Sequence, residues 1–122
     1  MKYNPIHWLE IATSDLERAK EFYHKVFELI FEYVEMPDSK MYMFGETEGI
    51  GTGGCLVHSA DNKPSTEGTL VYFSVENMLE ILKRVESHGG KVLVPKTDIG
   101  DFGFFAHFLD TEGNKIGLHA NE

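Results

Sequence analysis

The chain holds one cysteine, Cys55, and one tryptophan, Trp8, in 122 residues. A lone thiol excludes an internal disulfide framework and fits a reducing compartment. No Cys–His spacing around Cys55 suggests a nucleophile, so it reads as a small buried apolar residue. No apolar run approaches the roughly 20 residues of a membrane-spanning helix, and no signal-type segment is seen; the expected location is cytoplasmic, with no membrane partner. Basic residues are also scarce, 11 Lys and Arg against 20 Asp and Glu, for a net charge of −9. With no basic stripe, a nucleic-acid partner is excluded. The acidic balance suits solubility and, secondarily, cationic or neutral ligands.

What is present is a pattern that occurs twice. Ile6 to Ala12 is a short apolar run expected to be a strand, with Trp8 and Glu10 on the face opposite Leu9 and Ile11. Ser14 and Glu17 have the spacing of a capping box. Leu16, Ala19, Tyr23, Val26 and Phe27 then recur at helical spacing. Strands are expected over Leu29–Met36, Lys40–Gly45 and Ile50–His58, with Pro37-Asp38-Ser39 as a turn. The polar segment 59–67 is a linker. The pattern then restarts: a strand over Thr69–Val75, a helix capped by Asn77 with Glu80 and stopped by Gly89-Gly90, and a short strand Lys91–Val94 ending at Pro95. The last two strands flank Asp110-Thr111-Glu112-Gly113-Asn114, where Gly113 and Asn114 tolerate positive φ and Asp110 can bond the following backbone.

A shift of 62 residues (77 − 15) superposes Asp15 on Asn77 and places Leu16 on Met78, Ala19 on Ile81 and Tyr23 on Val85. Apolar positions fall on apolar positions, so the repeat is architectural. The expected fold is one α+β domain over residues 4–120, built from two βαβββ modules at about 5–58 and 68–119. Each helix covers one face of a four-stranded sheet, and the other sheet faces close around a central cavity.

Three segments, Thr13–Tyr23, His88-Gly89-Gly90-Lys91-Val92 and Phe108–Ile116, make the chain resemble the vicinal oxygen chelate superfamily of glyoxalases, bleomycin-resistance proteins and extradiol dioxygenases. The resemblance spans essentially the whole chain. It implies paired βαβββ modules, a small-molecule ligand and a homodimer. It also implies metal ligands on the first and last strand of each module in those members that are metalloenzymes. Carried over by position, these places are Trp8, Leu70, Gly117 and a site within Gly54–Val57, where Cys55 alone ligates well. A divalent metal needs three or four converging N, O or S donors. The expectation is therefore no metal and no other cofactor.

The expected cavity face carries Trp8, Tyr72, Phe105 and His119 as ligand-binding residues, with Glu10 and His107 as catalytic candidates. Glu10 lies between two apolar residues in a strand expected to be central, where burial would suit it to general-base work. His107 sits in a run of Phe and Leu that marks it as buried, and it is expected to approach Glu10 across the pocket. Three readings stay open. One is a metal-independent binding protein with acid–base, isomerase- or lyase-like chemistry next to a carbonyl. The second is a sequestering protein of the bleomycin-resistance type without catalysis. The third is a metal-dependent lyase or dioxygenase with ligands displaced to Glu10, His107 and His119.

Overall fold

A computed structural model describes residues 4–46 and 49–122. The first module runs β1 (Glu10–Ala12), α1 (Leu16–Phe27), β2 (Glu32–Met36), β3 (Ser39–Phe44) and β4 (Gly54–Ser59). The second runs β5 (Val71–Ser74), α2 (Met78–Ser87), β6 (Lys91–Asp98), β7 (Phe104–Leu109) and β8 (Lys115–Ala120), with a 3₁₀ turn at Gly100–Phe102. The two sheets have orders β1-β4-β3-β2 and β5-β8-β7-β6, so the repeat extends to topology. In each, the first strand pairs in parallel with the last and therefore lies at the sheet edge. This is the α+β architecture of two βαβββ modules that the repeat predicts.

The caps show how the sequence sets the helices. Asn77 Oδ1 accepts the Glu80 amide at 3.2 Å, as its spacing predicts. At α1 the cap is Asp15, whose Oδ1 accepts the Arg18 amide at 3.0 Å, and not Ser14. The Ser14–Glu17 capping box does not form because the Ser14 amide is taken by a more distant carboxylate, Glu112. The α1 stripe Ala19, Phe22, Tyr23 and Val26 and the α2 stripe Met78, Leu82 and Val85 are buried.

The helices pack against each other, and one continuous core lies beneath them. Sheet residues facing this core are Ile11, Tyr42, Phe44 and Leu56 in the first module and Ala106, Phe108, Ile116 and Leu118 in the second. Tyr23 and Phe27 of α1 reach across to Phe73 of the second sheet, with ring centroids 6.0 and 4.4 Å apart. Fully burying one such ring contributes about 2–3 kcal/mol. The modules thus share one interior. Among the described residues no helix is long and apolar enough to cross a membrane.

Three local expectations are corrected. The first strand is three residues long, not Ile6–Ala12, because only its last part finds the β4 ladder. The strand expected to stop before Pro95 continues to Asp98; β6 is an edge strand with register shifts on both sides of Val94, where a missing N–H costs little. Asn114 is not at positive φ, whereas Gly113 is, at 96°.

Candidate functional site

The faces opposite the helices hold the candidate site residues, and alternation with register fixes their rows. On the first sheet, Glu10, Cys55, Met43 and Glu32 form one row, and Ala12, Val57, Met41 and Val34 the next. On the second, Tyr72, Gly117, His107 and Val94 form one row, with Ser74, His119, Phe105 and Thr97 beside it. Methionine, valine and acid face out from one sheet; aromatic rings and nitrogen bases face out from the other.

Tyr72, Gly117 and His107 make a built arrangement. The Tyr72 ring lies flat across β8 on Gly117: a Cβ at residue 117 would stand 2.5–2.8 Å from three of its carbons. Lying there, the ring carries its hydroxyl to His107 Nε2 at 2.7 Å. In the Nδ1–H tautomer Tyr72 donates and Nε2 accepts; a proton on Nε2 reverses the bond. Burial, and then the nearby Lys115 ammonium, lower the His107 pKa and favour the neutral ring. The Phe105 ring meets the imidazole edge-on at 5.1 Å between centroids. His107 is half-buried rather than buried among the surrounding Phe and Leu.

Glu10 departs from expectation. β1 is an edge strand, and Glu10 is exposed. Its polar neighbour is Cys55, whose thiol points at Glu10 Oε2 across 3.9 Å. Cys55 itself is fully buried, as expected, and burial followed by the Glu10 charge pushes its thiol up to about 11. Glu10 and His107 lie on different sheets, each with another partner, so the expected Glu10–His107 contact is not among the hydrogen bonds of the described chain. His119 Nε2 faces the carbonyl of Phe102 and ties the 3₁₀ turn to β8. Trp8 precedes β1, is 41% exposed, and lines a separate cavity of the first module.

The metal positions implied by the resemblance can be tested for fit. Leu70 and Gly117 offer no side-chain donor, and the space above Gly117 is filled by the Tyr72 ring. Cys55 is buried against Glu10. Among the described residues, no group of three His, Cys, Asp or Glu side chains converges as metal ligands would. The residues at these positions do not fit the group.

Sequence reasoning missed a polar cluster beneath the last hairpin. Asp110 Oδ1 accepts the amides of Glu112 and Asn114 at 2.9 Å, and Oδ2 accepts the Tyr23 hydroxyl at 2.7 Å. Glu112 accepts the Ser14 and Asp15 amides at 2.9 and 2.7 Å and pairs with Arg18 at 2.8 Å. Asn114 donates to the Ala12 carbonyl at 2.8 Å. Burial raises the Asp110 pKa, with its hydrogen bonds pulling the other way. For Glu112 burial also pushes upward, but Arg18 and the helix-start amides outweigh it and the net shift is down. The turn bonds within Asp110–Asn114 are legible from the residue types. That two of these acids would be buried against a helix about ninety positions earlier is not.

A family model described as the glyoxalase/bleomycin resistance protein/dioxygenase superfamily matches residues 5–118. A glyoxylase-like domain-containing protein of Didymella fabae is 30% identical over 116 residues, covering 92% of this chain and 90% of its own. The CFP32 protein of Mycobacterium bovis, named as a glyoxylase, is 25% identical over 116 residues; the chain spans 44% of that relative's length. Among solved structures, TnmS3, an antibiotic binding protein from Streptomyces sp. CB03234, superposes with a TM-score of 0.74 at 22% identity, over 100% of this chain and 99% of its own. That likeness carries the fold. By the extent of the family match and the Didymella relative, the chain belongs to the glyoxalase/bleomycin resistance protein/dioxygenase superfamily.

Proposed function

We propose that this protein binds a small organic molecule against the open face of its second sheet, without the metal used by metalloenzymes of the superfamily. The observation that carries this reading is the Tyr72–His107 hydrogen bond laid across Gly117. It presents a phenol and a neutral imidazole beside the Phe105 ring, a few polar groups in an aromatic setting, as ligand sites usually do. Lys115, close enough to bias His107, adds a positive charge. TnmS3, which shares this fold, is an antibiotic binding protein, and that likeness favours sequestration over turnover.

A second copy of the chain completes the site in this reading. The open face of the first sheet carries Glu10 and Glu32 among Met41, Met43 and Val34, and that of the second carries Lys115, His107 and His119. The carboxylates of the first face and the Lys115 ammonium of the second are complementary in charge, and a two-fold homodimer sets each face on the other twice. Such an arrangement would bring Glu10 of the second copy to the face that carries His107. In this reading proton transfer next to a carbonyl would use Glu10 or His107 as the base, and if neither acts the protein is a binder.

The test is native mass spectrometry of the purified protein, with sedimentation for its assembly state. A dimer carrying a co-purified organic molecule, lost in Tyr72→Phe and His107→Gln, is the expected result. Elemental analysis showing a stoichiometric divalent metal overturns the metal-free reading. Glu10→Gln then separates binding from chemistry: a ligand that still binds but is no longer converted assigns Glu10 to catalysis, and unchanged conversion removes it.

A further inference from the structure

A cavity of about 1010 Å³ lies on the first module, and neither Tyr72 nor His107 lines it. Its walls are the segment Asn4–Trp8, the stretch Glu28–Glu32 after α1, and the two ends of the β3–β4 connection, Met43–Glu46 and Gly51–Gly53. The N-terminal wall is pinned: Thr52 Oγ1 donates to the Ile6 carbonyl at 3.2 Å, and the Cys55 amide to the Leu9 carbonyl at 3.0 Å. The apolar lining is not consumed by packing. Ile6 is 64% exposed, Ile30 79% and Trp8 41%. Large apolar side chains left open together around a concavity mark a place where an apolar body docks.

The charged lining has one sign. Glu28, Glu32 and Glu46 border the cavity, and no Lys or Arg is among its described lining residues; His7 is the sole nitrogen base. Three carboxylates around an apolar floor repel an anion and attract a cation, and the −9 charge of the whole chain adds to that field. The indole of Trp8 is the aromatic face that best receives a cation. We propose that this cavity is a second ligand site, selective for lipophilic organic cations: a quaternary ammonium, phosphonium or pyridinium centre on an aromatic or alkyl body. The body fills the space between Ile6, Ile30 and Met43, the charge sits toward Glu28, Glu32 and Glu46, and Trp8 lies between. The site uses none of Tyr72, Phe105, His107 or His119, although Glu32 and Met43 also belong to the open face of the first sheet.

Trp8 is the only tryptophan and lines this cavity, so its emission reports on a ligand bound there. The test titrates the intact protein with tetraphenylphosphonium and, separately, with tetraphenylborate, ions of the same shape and opposite charge. Saturable quenching by the phosphonium at least about tenfold tighter than by the borate is expected, because three carboxylates a few ångströms from one charge each change affinity by a few-fold in a wet site. The preference should shrink in high salt. In the triple variant Glu28→Gln, Glu32→Gln and Glu46→Gln it should fall to within about threefold, with the far-UV circular dichroism unchanged. Equal affinity for the two ions, tighter binding of the borate, saturable quenching by neither, or undiminished preference in a folded triple variant overturns the proposal. The comparison of the two ions on the unaltered protein needs no variant to fold.

Discussion

The two modules repeat strand order and helix placement, yet their equivalent last connections are built oppositely. Between β7 and β8 the chain turns in five residues, and the carboxylates of Asp110 and Glu112 face inward onto α1 of the other module. Between β3 and β4 the path is longer and glycine-rich, with Gly45 at φ 94° and Gly51 at φ 89°, and its ends wall a cavity. A Cβ on Gly45 would stand 2.7 Å from the Gly53 Cα, so that neck closes only with glycine. One connection has become a staple between modules and the other a rim. The two halves share one topology; the turns decide which end holds the molecule together and which end is left open.

The largest expected effect comes from breaking the staple. Asp110→Ala strips the acceptor from the Tyr23 hydroxyl, two turn amides and the Asn114 side chain, all buried. A loss of about 3–5 kcal/mol in urea-induced unfolding is expected. Next is Gly117→Ala, which drives a methyl into the Tyr72 ring. About 1–3 kcal/mol should be lost, and the imidazole signals of His107 should move in NMR as its hydrogen bond opens. Tyr72→Ala in the same chain should recover most of the stability, since the clash is with that ring.

The acid dependence sharpens the contrast between the two carboxylates of the staple. The folded state holds Glu112 below the ordinary glutamate value, so its contribution is present above that range and is lost as pH falls through the folded value. Asp110 is raised, so its effect has the opposite sign: it favours the fold below the ordinary aspartate value and weakens it as pH rises through the folded value. The two partly cancel in the parent chain. Glu112→Gln should remove the first limb alone, leaving a melting temperature that rises on acidification near pH 4, where the parent's falls or stays level. A parallel pH profile in both chains would refute this assignment.

The smallest effect tests rigidity. Gly113→Ala and Gly51→Ala each place a methyl in open space at positive φ, 96° and 89°. In the pinned turn the strain cannot relax, and about 1–2 kcal/mol should be lost; in the rim the backbone can shift, and less than about 0.5 kcal/mol should be lost, so a difference of about 1 kcal/mol between the two variants is the readout.

Much of the fold was legible because its signals are local or periodic. The 62-residue shift, the Asn77 cap and the stripes of both helices need only nearby spacing. The edge position of Glu10 was hidden because a parallel partner 45 residues away decides it, and alternation within a strand says nothing about which strands flank it. The face shared by Tyr72, Phe105 and His107 followed from strand parity and the resemblance. Gly117 read only as a missing donor, whereas the structure gives it a positive role, as the floor on which Tyr72 lies. The staple was hidden for a different reason: Asp and Glu in a hairpin turn ordinarily face water, and nothing within five residues of Glu112 announces that the start of α1 will bury it.

That staple also dictates a schedule. The amides of Ser14 and Asp15, just ahead of α1, are satisfied by a side chain 98 and 97 residues further along, so the first module leaves the ribosome with the approach to its helix unfinished. Only when the closing hairpin has formed and docked do the Ser14 and Asp15 amides and the Tyr23 hydroxyl acquire their partners. Contacts of such sequence separation are slow to form, and here they are expected to come last. The earlier half must therefore wait, partly frayed, for the later one, and the two should unfold as a single cooperative unit despite their repeated architecture.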